Sequence, residues 1–150
     1  MKIPPKRFIF GWIILLFVSL AIWAFLIEPN HLIVNQHSLK LKKWSPKLNG
    51  FKIVAISDVH AGSNFIDEEK LRRIVSLANQ QDADLIILLG DYLSAQYFER
   101  KKLKMPLEKV VENLSGLRAK YGVFAILGNH DNEFGSEIVK AEFENAGYKV

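Results

Sequence analysis

Cysteine is absent from this 150-residue chain. That removes a disulfide scaffold, a thiol nucleophile and any cysteine-ligated zinc or iron–sulfur centre. No Gly-x-Gly-x-x-Gly follows an apolar run, so the phosphate-cradling turn of a dinucleotide-binding fold is missing too. The chain lacks internal repeats and low-complexity tracts, and 49% hydrophobic residues is too many for a disordered polypeptide. An excess of charge is also lacking where it would matter. Lys2, Lys6 and Arg7 supply three of the formal +4, leaving 17 basic against 16 acidic residues over positions 28–150. Without a basic face on a folded domain, nucleic acid is not expected as a partner.

One long hydrophobic run is present. Residues 8–27 hold 18 apolar side chains in 20 positions, broken only by Gly11 and Ser19. As a helix this stretch is about 30 Å long, the thickness of a bilayer's hydrocarbon. Trp12 and Trp23 lie toward its ends, where amphipathic rings favour the headgroup level. Glu28-Pro29 stops it. A cleaved signal peptide would have a shorter apolar region and a small-x-small site, so the run reads as an uncleaved single-pass anchor. Lys2, Lys6 and Arg7 flank it on one side, and Lys40, Lys42, Lys43 and Lys47 follow on the other. Proximity favours the N-terminus inside and the domain on the extracytoplasmic side. The second lysine group suits either anionic lipid headgroups or a solvated strand.

The rest reads as strand, turn, helix, repeated. Residues 1–7 form a basic flank and 8–27 the anchor; 28–49 read as a connecting hairpin, from the loose alternation of Leu32, Val34, Leu39 and Leu41. After the Asn49-Gly50 turn, residues 50–150 form one domain. Strands are expected at 52–56, 85–89 and 123–127. The second is apolar throughout, as when helices cover both faces of a sheet. One helix follows Asp67 with Leu71, Ile74, Val75 and Ala78 as its stripe. A second opens at Pro106 with Leu107, Val110, Val111 and Leu114, and a third spans 136–145. Tyr148-Lys149-Val150 reads as the start of a fourth strand. The βαβαβ order implies an α/β fold with a mainly parallel sheet.

Each strand exit carries chemistry. Ser57-Asp58-Val59-His60 follows the first strand, Gly90-Asp91 the second and Gly128-Asn129-His130-Asp131 the third. Carboxyl ends of strands face the ligand crevice of an open α/β sheet, so these residues gather at one edge. Carboxylates, an amide oxygen and imidazoles suit Mn²⁺, Fe²⁺ or Zn²⁺. Singly, Asp58 could be a helix cap and Gly90-Asp91 an ordinary turn; the joint pattern is what points to metal.

Together these motifs resemble the first three of the calcineurin-like metallophosphoesterases. The anchor, its Ile-Glu-Pro exit and the lysine-bearing segment are similar to the bacterial membrane-anchored branch, which includes UDP-2,3-diacylglucosamine pyrophosphatases of lipid A synthesis. The resemblance implies the first βαβαβ half of a metallophosphoesterase sandwich behind one transmembrane helix of a bacterial inner membrane. It implies two divalent ions, with Mn²⁺ the first expectation. Asp58 and His60 would bind one, Asp91 would bridge both and Asn129 would bind the second. His130 would contact the phosphate and protonate the leaving oxygen, with Asp131 holding its ring. The substrate would be a phosphate ester or pyrophosphate, UDP-2,3-diacylglucosamine or another lipid-linked compound among the candidates. The family continues with a further histidine and a Gly-His-x-His motif, whereas this sequence stops at Val150. The chain is therefore expected to be the N-terminal part of such a domain, binding metal weakly and turning over little. The alternatives are a catalytically inactive metal-binding or scaffold module, or a non-functional truncated fragment.

Overall fold

The computed structural model describes residues 6–96 and 99–150, in two units, Met1–Asn35 and Gln36–Val150. The basic flank, Lys2 included, lies mostly outside the described residues.

In the first unit, α1 (Lys6–Ile22) runs into a π-helical turn (Trp23–Ile27) and a 3₁₀ turn (Glu28–Asn30). Phe8–Asn30 is long and apolar enough to cross a membrane, and none of its most apolar window is buried in protein. Its one hydroxyl is satisfied within the helix, Ser19 Oγ donating to the Leu15 carbonyl at 2.8 Å.

The second unit is built on three parallel strands, β1 (Ile53–Ile56), β2 (Leu85–Leu88) and β5 (Val123–Ala125), in the order β1-β2-β5. Helix α2 (Glu68–Asn79) joins the first two. A short antiparallel pair, β3 (Ala95–Gln96) and β4 (Glu99–Leu103), and helix α3 (Leu107–Leu114) precede β5, and α4 (Asn129–Asn145) follows it. Asp67 caps α2 by accepting the Lys70 N–H at 2.8 Å, and Glu68 and Glu69 place negative charge in its first turn. The helix stripes follow expectation except at Ile74, which is half-buried: Leu71, Val75 and Ala78 are buried on α2, and Leu107, Val110, Val111 and Leu114 on α3. They share one core with Ile86, Leu88, Val123 and Ala125 from the sheet and Val139 and Phe143 from α4. Each buried Val, Leu, Ile or Phe among them contributes about 1.5–3 kcal/mol by leaving water, and Leu114→Ala would cost about 2–5 kcal/mol.

The structure departs from expectation in four places. Residues 28–49 form no hairpin. They contain two 3₁₀ turns and otherwise unpaired backbone, with Ile33, Leu39 and Leu41 exposed. A lone hairpin is marginal in water unless its apolar face is covered. The β3–β4 pair was not anticipated. The helix expected over 136–145 is present, but a further helical stretch from Asn129 precedes it, the two parted by a break at Gly135 (φ 151°). Finally, only one sheet face is covered. Val54, Ile86 and Val123 align in a row facing the core, whereas the neighbouring row of Ala55, Ile87 and Phe124 faces outward. The order β1-β2-β5 advances in one direction, so two right-handed crossovers put α2 and α3 on the same side. The fourth strand does begin as expected, Lys149 bridging in parallel to Phe124.

Candidate metal centre

All three motifs leave the carboxyl ends of parallel strands, so the sheet delivers them to one edge. Past β1 the chain does not stop pairing. Asp58 N donates to Gly90 O at 3.2 Å, His60 N to Asp91 O at 2.9 Å and Ala61 N to Tyr92 O at 2.8 Å. This ladder holds unusual backbone: Asp58, His60 and Asp91 have φ of 53°, 45° and 56°. Left-handed conformations cost non-glycine residues about 1–3 kcal/mol each and persist only where surrounding bonds over-determine them.

The third exit is pressed against the second. A Cβ on Gly90 would lie 2.4 Å from Gly128 N, and one on Gly128 would lie 2.3 Å from Asp91 Oδ1. Only glycine permits both approaches.

The result is a cluster of donor atoms. One ligand atom each from Asp58, His60 and Asp91 lies within 4.8 Å of the others. Donors about 2.1 Å from one ion in tetrahedral geometry stand about 3.4 Å apart, so the set needs to contract by up to about 1.4 Å. Asp58, largely exposed, has the freedom to supply that. His60 is already oriented: Nδ1 lies 3.3 Å from Leu93 O and Nε2 faces Asp58 Oδ1 at 3.8 Å. A backbone carbonyl on the far ring nitrogen is how metal-binding imidazoles are commonly held. Asp91 reaches toward both sides. Its Oδ1 accepts the His130 N–H at 2.9 Å, and its Oδ2 lies 3.2 Å from the Asn129 amide. With the amide nitrogen turned to Asp91, it donates there and the amide oxygen accepts from His130 N at 3.3 Å. Turned to ligate, two oxygens face each other across that gap, an arrangement that calls for a cation. The donor set therefore fits divalent ions.

His130 stands beside His60, ring centroids 5.0 Å apart and planes at 76°. Both line a cleft of about 290 Å³ with Ser94, Ala95 and Glu133. Ser94 and Glu133 were not anticipated. Nothing marks Ser94 in the sequence, and Glu133 would have drawn notice only had α4 been started at Asn129.

Asp131 does not hold the His130 ring. Fully buried, it spends both oxygens on backbone: Oδ2 accepts from Asp91 N at 2.7 Å and Gly128 N at 2.9 Å, Oδ1 from Tyr92 N at 3.0 Å and Leu93 N at 3.2 Å. As the third helical residue it bonds back to its own N-cap, as in half of a capping box, and fixes the β2 exit as well. Below it Tyr92 donates to Ile126 O at 2.7 Å and accepts from Gly90 N at 3.2 Å. Burial first, then the charges of Asp131 and Asp91, push the Tyr92 phenol well above its usual range.

A parallel sheet whose strand exits carry Asp-x-His, Gly-Asp and Gly-Asn-His-Asp around a potential cation site is a calcineurin-like phosphoesterase fold, and the chain belongs to that family, whose model matches residues 51–149. It is similar to the UDP-2,3-diacylglucosamine pyrophosphatase LpxG of Chlamydia trachomatis, 34% identical over 110 residues, which are 73% of this chain and 31% of the relative. It is also similar to the uncharacterised metallophosphoesterase YkuE of Bacillus subtilis, 28% identical over 130 residues, 85% of this chain and 43% of that one. A transmembrane protein with metallophosphoesterase domain from Danio rerio is 30% identical over 93 residues, 62% of this chain and 20% of that protein. The chain thus spans less than half the length of these curated relatives. No solved structure matches it.

Proposed function

We propose that the chain contributes the metal-binding edge of a membrane-anchored phosphoesterase acting on a phosphoester or pyrophosphate bond. The observation that carries this is the convergence of Asp58, His60 and Asp91 within 4.8 Å, with the Asn129 amide 3.2 Å from Asp91. In this reading Asp58 and His60 Nε2 hold one divalent cation, Asp91 is shared, and Asn129 turns its amide oxygen to the second; Mn²⁺ is the favoured ion. Bound there, the two ions supply the positive charge that polarises a phosphoryl oxygen and acidifies an attacking water. His130, exposed on the cleft, contacts the phosphate and delivers a proton to the leaving oxygen. Asp131 acts at one remove, by fixing the backbone of Asp91. A lipid-linked substrate such as UDP-2,3-diacylglucosamine, in lipid A synthesis, is supported by the similarity to LpxG and by the apolar helix. That helix would anchor the protein in a bacterial inner membrane, with the domain on the extracytoplasmic side.

The test is Mn²⁺-dependent hydrolysis of a chromogenic phosphodiester by the intact membrane protein, with metal content measured alongside. Asp91→Asn should lower both metal content and turnover. His130→Ala should keep its metal and lose roughly 10²–10⁴ in rate, the usual size of a lost general acid. Metal loss in the His130 variant would overturn the assigned roles.

A further inference from the structure

Between Glu28 and Asp58 there is no acidic residue, yet Lys40, Lys42, Lys43, Lys47 and Lys52 all fall there. Among the described residues Lys40, Lys42, Lys43 and Lys47 form no ion pair. They alternate with apolar side chains that find no core: Leu39 is 78% exposed, Leu41 55% and Trp44 40%. Positive charge and exposed apolar groups together on one strip match the chemistry of an anionic lipid surface.

The strip has a fixed place on the domain. Trp44 Nε1 donates to Leu48 O at 2.8 Å, and the Trp44 ring meets Phe51 edge-on at 6.5 Å. Phe51 stacks on Tyr121 at 5.6 Å, and Lys120 Nζ lies 5.1 Å from the Tyr121 ring centre. Phe51 and Tyr121 each stand just before a strand, β1 and β5, at the amino ends of the sheet. The donor cluster of Asp58, His60 and Asp91 is at the carboxyl ends. The lysine strip and the metal edge therefore occupy opposite ends of the same sheet.

We infer that residues 39–52 form a contact surface for anionic lipid headgroups. Two observations favour a membrane as the occupant. Lys40 comes ten residues after Asn30, where the apolar span ends. Ten residues reach about 35 Å at most, so the strip stays close to whatever surface the span enters. Its chemistry also matches: lysine stems lie along apolar surface with their ammonium groups at phosphate level, and a tryptophan ring favours the same depth. Each lysine near an anionic surface is worth roughly fivefold in the ratio of bound to free segment. This contact is independent of the hydrolytic chemistry, and its test reads neither metal nor turnover.

The absence of native cysteine makes the test clean. Ser45→Cys is labelled with an environment-sensitive fluorophore in the full chain, reconstituted in vesicles of phosphatidylcholine alone or of phosphatidylcholine and phosphatidylglycerol in equal parts. Acrylamide, a neutral quencher, reads exposure. The label should be shielded in the anionic vesicles and open in the zwitterionic ones, and molar salt, which cuts the screening length to about 3 Å, should reopen it. Lys40→Gln, Lys42→Gln, Lys43→Gln and Lys47→Gln combined should abolish the shielding. A label at Glu137→Cys on α4 should stay open throughout. Equal quenching at position 45 in both vesicles overturns the proposal, whether the label is open or shielded in both. Shielding at position 137 as well means non-specific adsorption and overturns the proposal. Should the lysine variant not fold, lipid composition and salt still decide the matter on the unmodified lysines.

Discussion

The Nδ1 atom of His60 lies 3.3 Å from the carbonyl oxygen of Leu93, so the backbone of the second motif selects the free ring nitrogen of the first. Nε2 is the atom turned toward Asp58 Oδ1, 3.8 Å away. Zn²⁺ should therefore shift the His60 Nε2 resonance while Nδ1 keeps its proton toward Leu93 O. Nitrogen-15 NMR of labelled protein reads this directly; a metal shift at Nδ1 instead would mean the ring turns to bind.

Asp131→Asn separates a backbone clamp from a partner of His130. An amide keeps one acceptor oxygen but points an N–H₂ group at two backbone N–H donors, so stability should fall by about 2–4 kcal/mol in urea unfolding. Metal affinity should fall with it, because the backbone of Asp91 is released. A carboxylate serving only the His130 ring would leave both nearly unchanged.

Gly128→Ala should be more damaging than its chemistry suggests. The added methyl would sit 2.3 Å from Asp91 Oδ1, so the carboxylate must leave its position or the two strand exits must part. A loss of roughly 1–3 kcal/mol is expected from overpacking, accompanied by metal binding too weak to measure by calorimetry. Gly122→Ala, whose added carbon meets nothing within 4 Å, serves as the comparison: its φ of 95° strains the backbone without touching the site.

Two buried phenols set the alkaline limit. Burial pushes Tyr148 up to about 12, and Tyr92 rises further for the same reason. Unfolded tyrosine titrates near 10, so the fold favours the neutral phenol in both. That contribution is complete below about pH 10 and is lost as pH rises through about 12, because the unfolded chain releases its protons first. Urea stability should therefore fall steadily over that window. Tyr92→Phe should flatten the decline.

The stripes of α2 and α3 were legible because Leu71, Val75 and Ala78, and Leu107, Val110, Val111 and Leu114, repeat at helical spacing and are all buried. The strand exits were legible because Asp58, Asp91 and Asn129 directly follow apolar runs. The hairpin at 28–49 was misread because Leu39 and Leu41 alternate as in a strand, and alternation cannot say whether a partner exists. β4 is hidden for the opposite reason: Glu99-Arg100-Lys101-Lys102-Leu103 shows no apolar alternation. Asp131 was assigned to His130 because the two are neighbours in sequence. On a helix, consecutive side chains diverge by about 100°, so adjacency argues against the contact. The start of α4 was hidden because Asn129 to Glu133 offers no apolar stripe and Gly135 interrupts the helix.

The clamp from Asp131 to the Asp91 backbone joins residues 40 positions apart. Bonds of such separation form late, since loop closure precedes any return from the contact. On a growing chain, Asp58, His60 and Asp91 emerge before the carboxylate that clamps the Asp91 backbone, and synthesis at about 5–20 residues per second leaves them waiting for seconds. Through that interval the left-handed turns have only the ladder between the β1 and β2 exits to hold them. In the proposed reading, metal uptake becomes a clock for the docking of the third strand: it is completed only once β5 and the first turn of α4 have closed onto the β2 exit.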